Sequence, residues 1–392
     1  MLALSTATMI FVLGMPIMAL PVLFREIAAD LDLDLVQIGA IWGFGALTGA
    51  MFGLFGGVAG DLRSTKSVIG IACICSGLVG ASRGLSNSYA ALALTTLLAG
   101  MVGSSIAINV HKTVSQWFSA RSFGKANAVL ALGFGLGTTL GSLVSASVLS
   151  PWLGGWRHVT FFYGGLSIAA GLVWLFSPSA PAGRRAEKTE RVLRDFRDAF
   201  RRVLPLSAFW VISLVGLFYG AASQGLTGYL PLYLIEVGWS QVSADAALSV
   251  CNAASVAGVI PLVMVAERFA VRRRLLLCGA LVMAAGLLLI PAFPGPSVWL
   301  VLIVVGFFRE AFMAVTITYT VQVAGIGPRY AGTALGISFA MSSLGRFVSP
   351  PLGNALARYG PGYPFMFWAA LAAAAAVTIL FVKKGRETVA TA

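Results

Sequence analysis

Arg309 and Glu310 stand side by side in "GFFREAFMAV", Gly306 to Val315, inside a long apolar run, and Arg346 occupies a second such run, "SSLGRFVSPP". A guanidinium is a permanent cation whose planar fork of donors fits a carboxylate bidentately, and a carboxyl can take up and release a proton. Two arginines and one acid in apolar surroundings are chemistry for holding an organic anion, with Glu310 as the proton-coupling group. A buried ionisable group costs roughly 2.5–3.5 kcal/mol on insertion scales, so each must face a partner or an aqueous cavity. Neighbours on a helix point about 100° apart, which predicts that Arg309 and Glu310 do not simply neutralise each other. One arginine is then left for a ligand, and which one Glu310 holds stays open.

The elements that must position these charges are membrane spans. Of 392 residues 58% are hydrophobic and only 10% charged, far from the roughly 25% charged of a soluble domain. Apolar stretches of about twenty residues recur, each long enough to cross the hydrocarbon as a helix. We place spans at 3–24, 35–60, 68–83, 89–112, 124–149, 157–177, 206–235, 243–266, 273–292, 297–323, 331–357 and 362–382. The fold class is all-α, with twelve transmembrane helices in two pseudo-symmetric six-helix bundles, 1–177 and 206–392. Residues 178–205 form a cytoplasmic linker with an amphipathic helix. The first run begins at Met1 without a basic lead or a cleavage site, so it reads as a retained span.

The net charge of +13 is a topology signal and not a nucleic-acid footprint. Alternate loops put 21 Lys and Arg on one side, eight of them between Arg184 and Arg202. The other side has Arg25, Arg83, Arg157 and Arg358 with most of the loop acids, Glu26, Asp30, Asp32, Asp34, Glu236 and Asp245. Both termini are therefore cytoplasmic. Loops account for all but two of the 27 cations, leaving Arg309 and Arg346 in spans with Glu310. Arg309 lies about 15 Å from the outer end of its span, near mid-bilayer, and Arg346 roughly 22 Å from the inner end of its own, heights that differ by about half a helical pitch. Tyr219, Gln224 and Asn252 are polar candidates at similar depth. The four cysteines have no metal spacing, the two histidines (His111, His158) sit at span ends, and no nucleophile motif or HExxH occurs. We expect no metal, no cofactor and no enzyme.

The two halves also repeat. "GDLRSTK" (Gly60 to Lys66) is matched by "AERFAVR" (Ala266 to Arg272), an acid preceding a base by five residues in each. "GKANAVLALGFGLG" (Gly124 to Gly137) parallels "GTALGISFAMSSLG" (Gly332 to Gly345). At these offsets Arg309 and Arg346 fall on uncharged residues, so the intramembrane charge is confined to the second half. Repeated six-span halves are the plan of a rocking transporter.

On these motifs the chain resembles the major facilitator superfamily over essentially its whole length, most like its organic-anion and oxalate/formate-like branches. "GVAGDLRSTK" (Gly57 to Lys66) is similar to the family's loop signature, with Leu62 and Ser64 departing from it. "WFSARSFGKA" and "GWR" (Gly155 to Arg157) look like features of those branches. The antiporter signature of the fifth span is "GFGLGTTLGS", with its glycines kept and Thr138 in place of the proline, which weakens a drug-antiporter reading. The resemblance implies gating by Asp61, Arg63, Lys66, Glu267, Arg268 and Arg272. It also implies a cavity lined by the first, fourth, seventh and tenth spans, which makes Tyr219 and Gln224 leading substrate contacts.

The expectation is a monomeric secondary transporter in a bacterial inner membrane, in contact with lipid. It moves a small anionic solute, a carboxylate, by alternating access, coupled to protons or to a counter-anion. Arg309, Arg346, Tyr219, Gln224 and Asn252 bind the substrate. The alternatives are a drug or metabolite efflux antiporter of the same superfamily, and a non-transporting membrane sensor.

Overall fold

Short polar residues start the helices. Asp34 and Gln37 cap each other, the Gln37 amide donating to Asp34 Oδ1 at 2.7 Å and the Asp34 amide to Gln37 Oε1 at 3.1 Å. Ser64 and Ser88 accept from the amides of Ser67 and Ala91 in the same manner. The computed structural model describes residues 1–62, 64–178, 203–269, 271–293, 295–322 and 327–382, and side chains within them other than those of 49–63, 120–121 and 322–332. The expected linker helix and Arg63 lie outside the described residues.

The helices are α1 (Leu2–Leu31), α2 (Leu35–Leu62), α3 (Thr65–Arg83), α4 (Tyr89–Trp117), α5 (Ala120–Val144, continued to Leu153), α6 (Trp156–Phe176), α7 (Ser207–Glu236), α8 (Gln241–Arg268), α9 (Arg272–Ala292), α10 (Ser297–Gln322), α11 (Gly327–Ala355) and α12 (Tyr363–Leu380). Among the described residues there is no strand, and ten helices (α1, α3 to α10 and α12) are long and apolar enough to cross a membrane. α1 continues through a π-helical stretch at Met9–Gly14 and past Pro21 to end at the left-handed Asp32 (φ 50°), so Glu26 and Asp30 are helical and not in a loop. The chain is an integral, multi-pass membrane protein.

Two compact units divide it, Met1–Ala186 with Gly228–Ala253, and Glu187–Thr227 with Ala254–Ala392. The first has a core of Met9, Leu13, Ile69, Ile106, Leu130 and Trp174. Its glycine stripe lets α5 touch α1: a Cβ on Gly137 would come within 2.6 Å of the Ile10 carbonyl, and one on Gly141 within 2.5 Å of the Met15 carbonyl. At the other face Trp174 Nε1 donates to Thr8 Oγ1 at 2.8 Å. The "GWR" residues fasten one end of this unit. Trp156 Nε1 and Arg157 Nε each donate to Asp30 Oδ2 at 3.0 Å, Arg157 Nη1 donates to the carbonyls of Gly84 and Ser86 at 2.8 Å, and Glu26 Oε2 accepts from Ser150 Oγ at 2.6 Å and the Trp156 amide at 3.1 Å. Those charged hydrogen bonds tie α1, α3, α5 and α6 together.

The α7–α8 turn and the helix ends beside it, Gly228–Ala253, pack among the first-half helices. Ser249 Oγ donates to the Thr139 carbonyl at 2.9 Å, and Trp42 rests on the bare backbone of Gly228. In the second unit Trp368 lies against Gly225 and Gly353 and donates to the Ser349 carbonyl at 3.4 Å. Arg273 closes α9 onto the end of α12 through the carbonyls of Ile379 (3.3 Å) and Leu380 (2.7 Å).

Candidate functional site

The second unit holds the charge cluster. Arg309 and Glu310 sit in the middle of α10, where every backbone group is already used by the helix and only side chains can recognise a ligand. Arg309 Nε lies 3.4 Å from Glu310 Oε1, and the side chains are 6% and 50% exposed. The expectation that these neighbours do not face is corrected here: the long arginine side chain folds back over the angle between them. The contact is a charge contact, too long for a strong hydrogen bond. Arg346, in the middle of α11, is partly buried and within electrostatic reach of both Glu310 and Arg309. The three charges expected to meet are therefore brought together, with a net charge of +1.

Arg346 leans on α7 where Gly220 lacks a side chain. A Cβ there would lie 3.2 Å from Arg346 Nε and 2.7 Å from Ser342 Oγ. Arg346 Nε is buried and has no hydrogen-bond partner among the described residues. Ser342 Oγ donates to the Gly216 carbonyl at 3.1 Å and borders a small, open and mostly apolar cleft that Thr316, Thr320 and Ser338 also line. Tyr219, fully buried, stacks on Phe312 of α10 with ring centroids 3.6 Å apart and planes at 8°. Gln224, one turn further along α7, is partly exposed.

Asn252 lies elsewhere, in the first unit. Its amide donates to Ser142 Oγ at 3.2 Å and the Thr138 carbonyl at 3.5 Å, joining α8 to α5. Of the gating set, Lys66 Nζ donates to the Ser177 carbonyl at 2.9 Å, tying the start of α3 to the end of α6. Glu267 and Arg268 are exposed, Arg268 over the Phe269 ring at 5.8 Å, and Arg272 is partly buried. The Asp61 side chain and Arg63 lie outside the described residues.

Asp245 overturns its placement among the loop acids. It sits one turn inside α8, completely buried, with Gln241 Nε2 donating to its Oδ1 at 2.9 Å. Asp245 was counted with the loop acids although the 243–266 span already contained it, and the helix starts two residues earlier still, at Gln241. Phe312, Gly220 and Ser342 were also missed. Only the spacing of Gly216 and Gly220, one turn apart on α7, hinted at a close approach there.

No group of three or more metal-ligating side chains occurs among the described residues. The family model described as Major Facilitator Superfamily matches residues 2–260 and 236–391. A cis,cis-muconate transport protein of Acinetobacter baylyi is 24% identical over 359 residues, 88% of this chain and 85% of that protein. A probable nitrate/nitrite antiporter of Thermus thermophilus is 27% identical over 226 residues, 55% of this chain and about half (49%) of its own length. A hexuronate transporter of Bacillus subtilis is 27% identical over 135 residues, 33% and 30% of the two chains. Among solved structures, a point mutant of the nucleoside transporter NupG superposes with a TM-score of 0.82 at 15% identity, over 97% of this chain and 100% of that one. A bacterial homologue of the human lysosomal transporter Spinster, inward-facing and unoccupied, gives 0.75 at 18% identity, over 97% and 94%. At those identities the likeness is one of fold alone.

Proposed function

The chain belongs to the major facilitator superfamily, a family of transporters and not of enzymes, and from that premise we propose a secondary transporter of a small organic anion, a carboxylate, working by alternating access. The observation that carries this reading is Arg346: a guanidinium pressed against Gly220, its Nε buried without a hydrogen-bond partner among the described residues, beside an Arg309–Glu310 contact that already uses the nearby acid. A cation in that position is stabilised by an anion arriving from the cleft at Ser342. The names of the three curated relatives, for nitrate/nitrite, muconate and hexuronate, support an anionic substrate.

In this reading twelve spans form two six-helix bundles, 1–177 and 206–392, with the 178–205 linker and both termini in the cytoplasm of a bacterial cell. Arg346 grips the carboxylate and Arg309 sets the local field. Tyr219 and Gln224 shape the wall, Asn252 holds α8 on α5, and Asp61, Arg63, Lys66, Glu267, Arg268 and Arg272 work the inner gate. Glu310, half exposed, is the coupling group if protons drive transport: once protonated it releases Arg309. Exchange of one anion for another needs no titrating acid.

The test is uptake of labelled carboxylates into proteoliposomes. Arg346→Ala is expected to lower it at least tenfold and Arg309→Ala by a smaller factor, while Glu310→Gln abolishes the response to a pH gradient but keeps anion exchange. Wild-type rates in all three variants would end the anion reading, and stabilisation of the protein by cationic drugs alone would replace it with efflux.

A further inference from the structure

Asp245 is a buried acid that the anion site does not use. Its Oδ1 accepts from Gln241 Nε2 at 2.9 Å, and that same Nε2 also donates to the Val22 carbonyl of α1 at 3.3 Å. The Asp245 side chain is thus knotted through one amide group to the backbone of another helix. Its Oδ2 is buried with no hydrogen-bond partner among the described residues.

The surrounding charges do not suit an anion. On α1, Arg25 is exposed, Asp30 is paired with Arg157 at 2.8 Å, and Glu26, bonded to Ser150 and Trp156, sets a field of the same sign on Asp245. On the nearby end of α7 the titratable groups are Tyr229, Tyr233 and the exposed Glu236, and none can be a cation. The half of α5 that packs on α8 carries no titratable side chain. A carboxylate held by one neutral donor, out of water and near a like charge, is far costlier than the neutral acid in the same place.

We infer that Asp245 is a proton-binding site whose occupancy is coupled to the closed position of the outer end of α8 against α1. With a proton on Oδ2 the acid can stay buried and Gln241 can keep its bridge to Val22. Opening that end admits water, the proton leaves to the outside, and the carboxylate holds the end open until it is protonated again. The step is a reversible proton transfer with outside water. The inference rests on the alternating-access reading but not on the nature of the substrate.

Cys251, fully buried on α8 six residues beyond Asp245, reports opening. The full chain in nanodiscs is labelled with a small polar maleimide across a pH series, and the ratio of Cys251 labelling to that of the same protein unfolded in detergent at the same pH is read by peptide mass spectrometry. In the wild type the ratio is expected to rise with pH by up to about tenfold per unit, the limit for one proton. Asp245→Asn, the same shape without the proton, is expected to stay low and flat, and Gln241→Ala to be high throughout. A wild-type pH response retained in Asp245→Asn overturns the proposal and leaves alternating access standing; Cys251 unlabelled under every condition overturns both. Infrared spectra give a second arm: at neutral pH the wild type should show a protonated-carboxyl band that Asp245→Asn lacks, and its absence from the wild type also overturns the proposal.

Discussion

The grip of Arg346 depends on an atom that is not there. Gly220 lets the guanidinium stem and the Ser342 hydroxyl share the space beside α7, and a methyl group would stand 3.2 Å from the one and 2.7 Å from the other. Gly220→Ala is therefore expected to weaken anion binding by roughly tenfold, about 1.4 kcal/mol, with little change in melting temperature because the displaced hydroxyl is the far end of a side chain. Isothermal titration with the transported carboxylate checks this, and unchanged affinity would remove Arg346 from the site. At this scale the sequence reveals which residues are exceptional and hides what they touch. Arg309, Glu310 and Arg346 stand out because nothing else near them in the chain is charged. Their pairing is set by side-chain reach, which an angle on a helical wheel does not contain, and the Tyr219–Phe312 stack joins residues 93 apart in sequence. Asp245 was lost because a burial so near a helix end is decided by another helix, α1, and by no local pattern.

Helices were easier to read, since apolar length and capping residues are local. Small residues four apart announced a smooth face on α5, and α1 does fill it. Gly137→Ala puts a carbon within 2.6 Å of the Ile10 carbonyl and 3.0 Å of Gly14 Cα, backbone that cannot rotate away, so α1 and α5 must separate. The expected cost is on the order of 1–3 kcal/mol, seen as a lower melting temperature in detergent, whereas Gly124→Ala, whose Cβ meets nothing within 4 Å, should leave it unchanged. "GWR" was legible as a motif but not as a fastener: the carbonyls that Arg157 holds, of Gly84 and Ser86, lie at the end of α3, far along the chain. Its replacement by alanine leaves Asp30 and those carbonyls partly to water, and a loss of about 1 kcal/mol is expected from the same melting experiment, in keeping with a half-exposed pair.

For the molecule as a whole, the distribution of lysine and arginine makes the boldest statement the sequence offers, that both ends of the chain face the cytoplasm. Reporter fusions after Ala392 and within the 178–205 linker should be active only in their cytoplasmic form, and a carboxy-terminal reporter active outside would undo the topology. The all-helical membrane fold was legible from composition. α7 and α8 each contribute to both compact units, and no local signal marks where a helix changes company. The contact between Arg309 and Glu310 also bears on how such a chain is made. α10 reaches the bilayer ahead of α11, and so ahead of Arg346. A cation and an anion on adjacent residues need no later partner: they can shield each other inside a single span from the moment it forms. The insertion machinery then meets a dipole in place of two separate ions, and the bilayer can accept α10 before the site it will serve exists.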